Sequence, residues 1–188
     1  VCLKVLWTLY QSLDGYSAMR VHVYCYLVEL AGQTGQIGTV YKDMDTLRSA
    51  FSACPPSNEQ MQKLLRLLHQ NLLMCKRSED AGQVMIELLG TYTTENASQA
   101  REEAQRCIVA SLQDPQTFLL DHLLQLKPVK FLEGELIHDL LKIFVSERLE
   151  AYKKFYDNHR EFVNKVGLNH ESNLTKVIFE ILLIIFYG

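Results

Sequence analysis

Residues 57–90 read "SNEQMQKLLRLLHQNLLMCKRSEDAGQVMIELLG", and this stretch decides the fold. Apolar side chains recur at steps of three and four residues in both halves, which is the spacing of one face of an α-helix. Ser57 with Gln60 three residues later is the capping-box pattern that begins a helix, and Gly90 ends the second half. Two helices with a short connection pack as antiparallel neighbours, so the stretch predicts a helical hairpin. The inward positions are Met61, Leu64, Leu65, Leu68, Leu72, Ala81, Val84, Met85, Leu88 and Leu89.

The helical period continues along most of the chain. Asp45 is the expected cap of a short helix that runs through Phe51 and ends before Pro55 and Pro56. The segment 20–24 also alternates like a strand, but the wider pattern from 21 to 31 favours a helix. Further helices are expected at 116–126, opened by Asp114-Pro115, and at 133–145, 147–157 and 159–166. The sequence therefore predicts an all-α fold, an α-solenoid of stacked helical hairpins.

The amino-acid composition argues against a nucleic-acid-binding function and for an intracellular protein. The 188 residues include 19 basic and 22 acidic side chains, a net charge of −3, and this balance gives no electrostatic footprint for nucleic acid. The five cysteines form no C-x-x-C pair, which indicates reduced thiols in the cytosol or nucleus.

Glu135 and His138 form a Glu-x-x-His pair, the spacing that supplies two ligands in carboxylate-bridged di-metal bundles. On a helical wheel, however, Glu135, His138, Asp139 and Lys142 share the arc opposite the apolar face that contains Leu140. The chain has no second Glu-x-x-His. We therefore interpret these four residues as a solvated or partner-facing polar arc, with no metal and no cofactor. Replacing Glu135 and His138 with alanine is expected to leave the melting temperature nearly unchanged.

The other candidate motifs are more typical of structural positions than of catalytic or ligand-binding sites. Gly32, Gly35 and Gly38 lack the lysine of a phosphate loop and are typical of a helix end followed by a connector. The six histidines form no H-E-x-x-H, and there is no G-x-S-x-G, so the sequence predicts no enzyme. The aromatic residues between 131 and 162 are expected to be mostly core. An RNA-contacting helical-repeat module and a helical enzyme with an unrecognised site are the alternatives.

Two longer stretches carry a family resemblance, "VMIELLGTY" at 84–92 and "LKPVKFLEGELIHDLL" at 126–141. With the rest of 96–168, they resemble the PCI-domain subunits of eukaryotic translation initiation factor 3, and the resemblance covers about residues 1–176. It implies N-terminal helical repeats at 1–95 and the helical part of a PCI domain at 96–176. The apolar tail at 177–188 lies outside the resemblance, and a winged helix is expected to be missing after Lys176. The tail is too short to span a bilayer and should reduce solubility.

The resemblance also implies a function. PCI-domain subunits are scaffolds without catalytic residues, and they bind other PCI-type and MPN-type subunits, here subunits F and H. Through the assembled factor they act indirectly on the small ribosomal subunit during formation of the preinitiation complex. Neither a membrane nor a small-molecule substrate is implied. A chain without the winged helix is expected to join the complex more weakly than a full-length subunit.

Overall fold

Every regular element in the described part of the chain is helical, which confirms the all-α prediction. The structure is a computed structural model that describes residues 1–114, 120–146 and 149–187, with side chains given except at 180, 181 and 183–187. The α-helices are α1 (Cys2–Ser12), α2 (Met19–Gln33), α3 (Met44–Ala50), α4 (Asn58–Met74), α5 (Ser78–Gly90), α6 (Arg101–Gln113), α7 (Lys127–Lys130), α8 (Leu136–Ser146), α9 (Leu149–Asn158), α10 (Arg160–Lys165) and α11 (His170–Tyr187). Short 3₁₀ helices lie at Ile37–Thr39, Ala97–Ala100 and Leu120–Gln125.

The chain forms two compact units, Val1–Thr91 and Tyr92–Gly188. The sequence placed a division four residues later, after residue 95. In the first unit, α4 and α5 form the predicted hairpin, α2 packs on α4, and α1 packs on α2. The residues predicted to face inward on this hairpin are buried except Met61, which is half-buried, and Leu64, Leu68 and Leu88 are fully inaccessible. Helices with this much shared apolar surface are held together chiefly by its removal from water.

In the second unit, α6 contacts α7 and α8, and α8 continues the packing onto α9. Helix α11 lies against α9, α6 and α8. Leu140 is fully buried and Phe144 is 3% exposed, so the apolar face predicted for this segment is confirmed. The prediction of an α-helix at 116–126 is wrong for Leu120–Gln125, which is 3₁₀, and residues 115–119 lie outside the described residues.

Helix starts show how local chemistry sets the boundaries. The Ser57 hydroxyl accepts a hydrogen bond from the Gln60 backbone N–H, and the Gln60 side chain accepts one from the Ser57 N–H, which confirms the capping box. The predicted cap at Asp45 is wrong. Asp43 caps α3 instead, because its carboxylate accepts the Thr46 N–H at 2.7 Å. Asp45 lies in the first turn of the helix, where a negative charge faces the positive end of the helix dipole.

Three helices end in the same left-handed turn. After α2, Gly35 has φ 66°, and the Gln36 N–H reaches back to the Ala31 carbonyl, which confirms a helix end at these glycines. Gly167 ends α10 in the same way with φ 76°. Lys76 takes this position after α4 with φ 59°, a conformation that costs a residue with a Cβ about 1–2 kcal/mol.

Gly32 serves a different purpose, a close approach of α2 to α4. A Cβ at this position would lie 1.6 Å from the side-chain oxygen of Asn71, which is itself only 6% exposed. The Asn71 side chain donates to the Leu67 carbonyl at 2.8 Å, so it is held in place within α4. Only a residue without a side chain fits here.

Candidate interaction surface

Glu135 lies immediately before α8 and joins it to α6. Its carboxylate accepts hydrogen bonds from Arg101 at 2.9 Å and from the Gln105 side chain at 2.8 Å, and Arg101 is also its ion-pair partner. Arg101 and Gln105 lie one helical turn apart on α6, so both donors reach the same carboxylate. The Glu135 side chain is 30% exposed. The expectation that Glu135 points into solvent or toward a partner is therefore corrected, since its main contacts are within the chain.

His138 is buried, at 9% exposure, which contradicts its assignment to an exposed polar arc. At about 100° per residue it lies roughly 100° from Ile137, at the edge of the apolar face. Helix α8 contacts α6, α9 and the 3₁₀ helix Leu120–Gln125, so neighbouring elements cover more of its circumference than the apolar stripe alone. The His138 Nδ1 atom has no hydrogen-bond partner. An alanine at both Glu135 and His138 should therefore destabilise unit 2.

Two members of the predicted arc are exposed, Asp139 and Lys142. They lie three residues apart on α8, and an acidic and a basic group so placed can pair with complementary charges of a partner. Phe131 is also exposed, at 51%, although the aromatic residues in this region were expected to be mostly core. It directly follows α7, where the chain turns through residues 131–134. Phe144, Tyr152 and Phe155 are core, as predicted.

The described residues contain no group of three or more histidine, cysteine, aspartate or glutamate side chains that could hold a metal ion. All five cysteines are free. Burial raises the pKa of the Cys107 thiol to about 11, so at neutral pH it stays protonated and behaves as a small apolar side chain.

Lys176 is an important residue that the sequence did not single out. It is 3% exposed, and its ammonium donates to the Ser111 carbonyl at 2.5 Å and to the Asp114 carbonyl at 2.6 Å. These carbonyls lie at the C-terminal end of α6, where a positive charge is stabilised by the helix dipole. Asn173 and Val177 are buried on the same stripe of α11. The spacing of three and four residues could have indicated from the sequence that Lys176 is buried, but a lysine in such a stripe is usually taken as exposed.

A stack of rings supports the start of α11. The His170 ring stacks on both Tyr152 and Tyr156, with centroid distances of 5.7 and 3.7 Å and interplanar angles of 14° and 16°. The Tyr152 hydroxyl is 3.3 Å from His170 Nδ1. Burial raises the pKa of Tyr152 to about 12, with Asn173 acting in the opposite direction. These contacts hold α11 against α9, so we interpret the stacked rings as a structural feature of the second unit.

Among the described residues, none of the helices combines the length and apolar character needed to cross a membrane. No family model matches the chain.

Several known proteins with similar sequences carry the same name. The chain is 61% identical over 177 residues to subunit M of eukaryotic translation initiation factor 3 from Aedes aegypti. The values for the proteins of that name from Culex quinquefasciatus and Drosophila melanogaster are 60% and 59%. Each alignment covers 94% of this chain and 46% of the relative, so the chain spans about half the length of the curated relatives it matches. This likeness confirms the resemblance carried by residues 84–92 and 126–141.

Proposed function

We propose that the chain belongs to the family of subunit M of eukaryotic translation initiation factor 3 and that it is a non-catalytic scaffold within that factor. It would act by protein–protein contacts in the assembly of the preinitiation complex on the small ribosomal subunit. The observation that carries the proposal is the 61% identity sustained over 177 residues. Identity at this level over most of the chain includes surface positions as well as the core, and the surface is where a scaffold makes its contacts.

The structure supports a role in binding through rigid helical surfaces. In stacked helices each element contacts mainly its neighbours, which leaves extended outer faces available to partners. Asp139 and Lys142 on α8 are exposed polar groups on a helix whose opposite face is anchored by Leu140. We propose this exposed edge of α8 as one contact surface. Subunits F and H are the proposed neighbours, and the cytoplasm is the proposed compartment.

Affinity purification from cultured Aedes aegypti cells tests the proposal, because a relative from that organism is 61% identical. The tagged chain should recover subunits of initiation factor 3, identified by mass spectrometry, above the level obtained with a tagged unrelated helical protein. Tagged full-length subunit M is the positive control. Recovery of the factor with the control, and of none of its subunits with the chain, would contradict the proposal.

An Asp139→Lys, Lys142→Glu double variant tests the α8 edge within the same experiment. Both side chains are exposed, so the reversal should leave the fold intact. If the edge of α8 is a contact surface, the variant should recover less of at least one neighbouring subunit. Unchanged recovery of every subunit would remove α8 from the proposed interface. A matched reversal at Lys153 and Glu150, exposed on α9, is the control.

A salt-titrated RNA-binding assay separates the scaffold from an RNA-contacting helical-repeat module. Phosphate contacts weaken steeply as salt rises because bound counterions are released. With a net charge of −3, the chain should bind a single-stranded RNA oligonucleotide weakly at physiological salt. Tight, strongly salt-dependent RNA binding would favour the alternative.

A further inference from the structure

Helices α2 and α4 of the first unit border an open groove of about 360 Å³. Its floor is apolar and includes Val21, which is 5% exposed, and Leu67. On the α4 side the lining runs from Gln60 to Gln70, which at 1.5 Å per residue gives an edge of about 15 Å. An edge of that length matches about ten residues of a docked helix.

The two edges of the groove differ in charge. The α4 edge carries Lys63 and Arg66 and no acidic residue. The α2 edge carries Glu29, together with Tyr26, a residue that is 63% exposed although it borders the apolar floor. An exposed aromatic beside an apolar floor is typical of the anchor positions at protein interfaces.

The pKa of the Cys25 thiol, which lines the groove, is affected by a charged group on each edge. Burial raises its pKa, the Lys63 ammonium acts in the opposite direction, and the Glu29 carboxylate adds to the rise. Opposite charges on the two edges therefore act on one point of the floor. A ligand in the groove would meet a basic edge on α4 and an acidic group on α2, so its own charges are constrained on both sides.

We propose that this groove docks an amphipathic helix of a partner protein. The apolar face of that helix would lie on the floor and against Tyr26, and its carboxylates would face Lys63, which is exposed. The inference rests on the proposed function in that it assumes the chain works through protein contacts, and it adds where one partner binds and with what chemistry. A helix presents apolar residues at steps of three and four with charged residues on the flanks, which is the pattern that these two edges require.

RNA is the less suitable occupant. The Glu29 carboxylate would lie close to the phosphates of a strand in the groove, and the net charge of −3 opposes the approach of a polyanion. A helical peptide can place its basic residues opposite Glu29 and its acidic residues opposite Lys63, whereas a uniform chain of phosphates cannot.

Two synthetic peptides of about 14 residues test the proposal. Both are amphipathic helices with the same leucine face, and one carries glutamates on the flank where the other carries lysines. Binding to the full chain is measured by fluorescence anisotropy. The acidic peptide should bind on the order of tenfold more tightly than the basic one, and this preference should fall as salt is added. Tyr26→Ala should weaken both peptides, because it removes the shared apolar anchor.

Charge reversal within the groove makes the test specific. Lys63→Glu should reverse the preference, so that the basic peptide binds more tightly, and because Lys63 is exposed this variant should fold normally. Lys63→Gln should remove most of the preference. The matched control is Lys153→Glu, at an exposed lysine of α9 in the second unit. Circular dichroism checks that each variant keeps its helical content.

The outcomes separate this inference from the proposed function. Equal binding of the two peptides, or a preference that survives charge reversal, would overturn the groove assignment while leaving recovery of initiation factor subunits unaffected. Tighter binding of an oligouridine RNA than of the acidic peptide, lost in Lys63→Glu, would overturn it in favour of nucleic acid. A reversed peptide preference without recovery of any subunit would support the groove and contradict the initiation-factor role.

Discussion

Replacing Lys176 with methionine would remove the ammonium that joins α11 to the end of α6. The side chain is 3% exposed, and its Nζ atom lies 2.5 Å from the Ser111 oxygen and 2.6 Å from the Asp114 oxygen. A hydrogen bond to a charged group contributes about 1.5–3 kcal/mol, so two of them contribute roughly 3–6 kcal/mol. The buried ammonium also carries a desolvation penalty of several kcal/mol, which its removal would relieve in part. We therefore expect Lys176→Met to lower the free energy of unfolding by about 2–3 kcal/mol.

Urea denaturation followed by far-UV circular dichroism measures this loss. The control is Lys153→Met, an exposed lysine of α9, which should change the free energy of unfolding by less than about 0.5 kcal/mol. Hydrogen exchange should also become faster in α11 and in the last turn of α6, where Ser111 lies. Equal unfolding midpoints for the two variants, with unchanged exchange in α11, would refute the role assigned to the ammonium.

Four further predictions follow from single contacts. Leu140→Ala should lower the free energy of unfolding by about 2–5 kcal/mol, because truncating a fully buried side chain leaves a cavity. A decrease below about 1 kcal/mol in urea denaturation would show that Leu140 does not lie on the buried face of α8. Lys76→Gly should raise the free energy of unfolding by about 1 kcal/mol by relieving the left-handed conformation at φ 59°, and a lower melting temperature would contradict this. In urea denaturation, Glu135→Ala should lower the free energy of unfolding by about 1–3 kcal/mol, and exposed Asp139→Ala by under about 0.5 kcal/mol. The reason is that Glu135, unlike Asp139, accepts hydrogen bonds from two side chains of α6. If the two losses are equal, the Glu135 contacts carry no stability. Tyr152 ionises near pH 10 when unfolded but has a pKa of about 12 when folded, so this residue alone should lower the free energy of unfolding by about 1.4 kcal/mol per pH unit between pH 10 and pH 12, and Tyr152→Phe should reduce the overall slope in that range. Identical slopes for the variant and the parent chain would show that another group is responsible.

The sequence predicted those features whose causes lie within a few residues of each other. Ser57 and Gln60 satisfy each other's backbone groups across three residues, so the pattern alone identifies the helix start. Gly35 is the residue type that a left-handed helix end requires. The wrong prediction that Asp45 caps α3 shows what such local patterns cannot decide. Asp43 and Asp45 are equally good capping residues, and only the backbone conformation before α3 decides between them.

Features of the candidate surface depend on contacts between distant residues, which no local pattern contains. Glu135 pairs with Arg101 across 34 positions, and Lys176 reaches Ser111 across 65. Helical periodicity sorts positions into an apolar and a polar side, but it does not show which neighbours cover the boundary between them. His138 lies on that boundary, so its burial followed from the packing of α8 and could not be read from its own spacing.

The contact between Gly32 and Asn71 limits how this protein can diverge over evolutionary time. Any side chain at position 32 would start 1.6 Å from the Asn71 oxygen, so such a substitution requires a smaller residue at position 71 beforehand. The reverse order passes through an intermediate in which two atoms occupy the same space. Asn71 can therefore change while Gly32 stays, but Gly32 can change only in a lineage where Asn71 has already been lost. Natural variants that lack the glycine at position 32 should carry glycine at position 71, because the Cβ of Asn71 would itself lie 2.7 Å from the new Cβ.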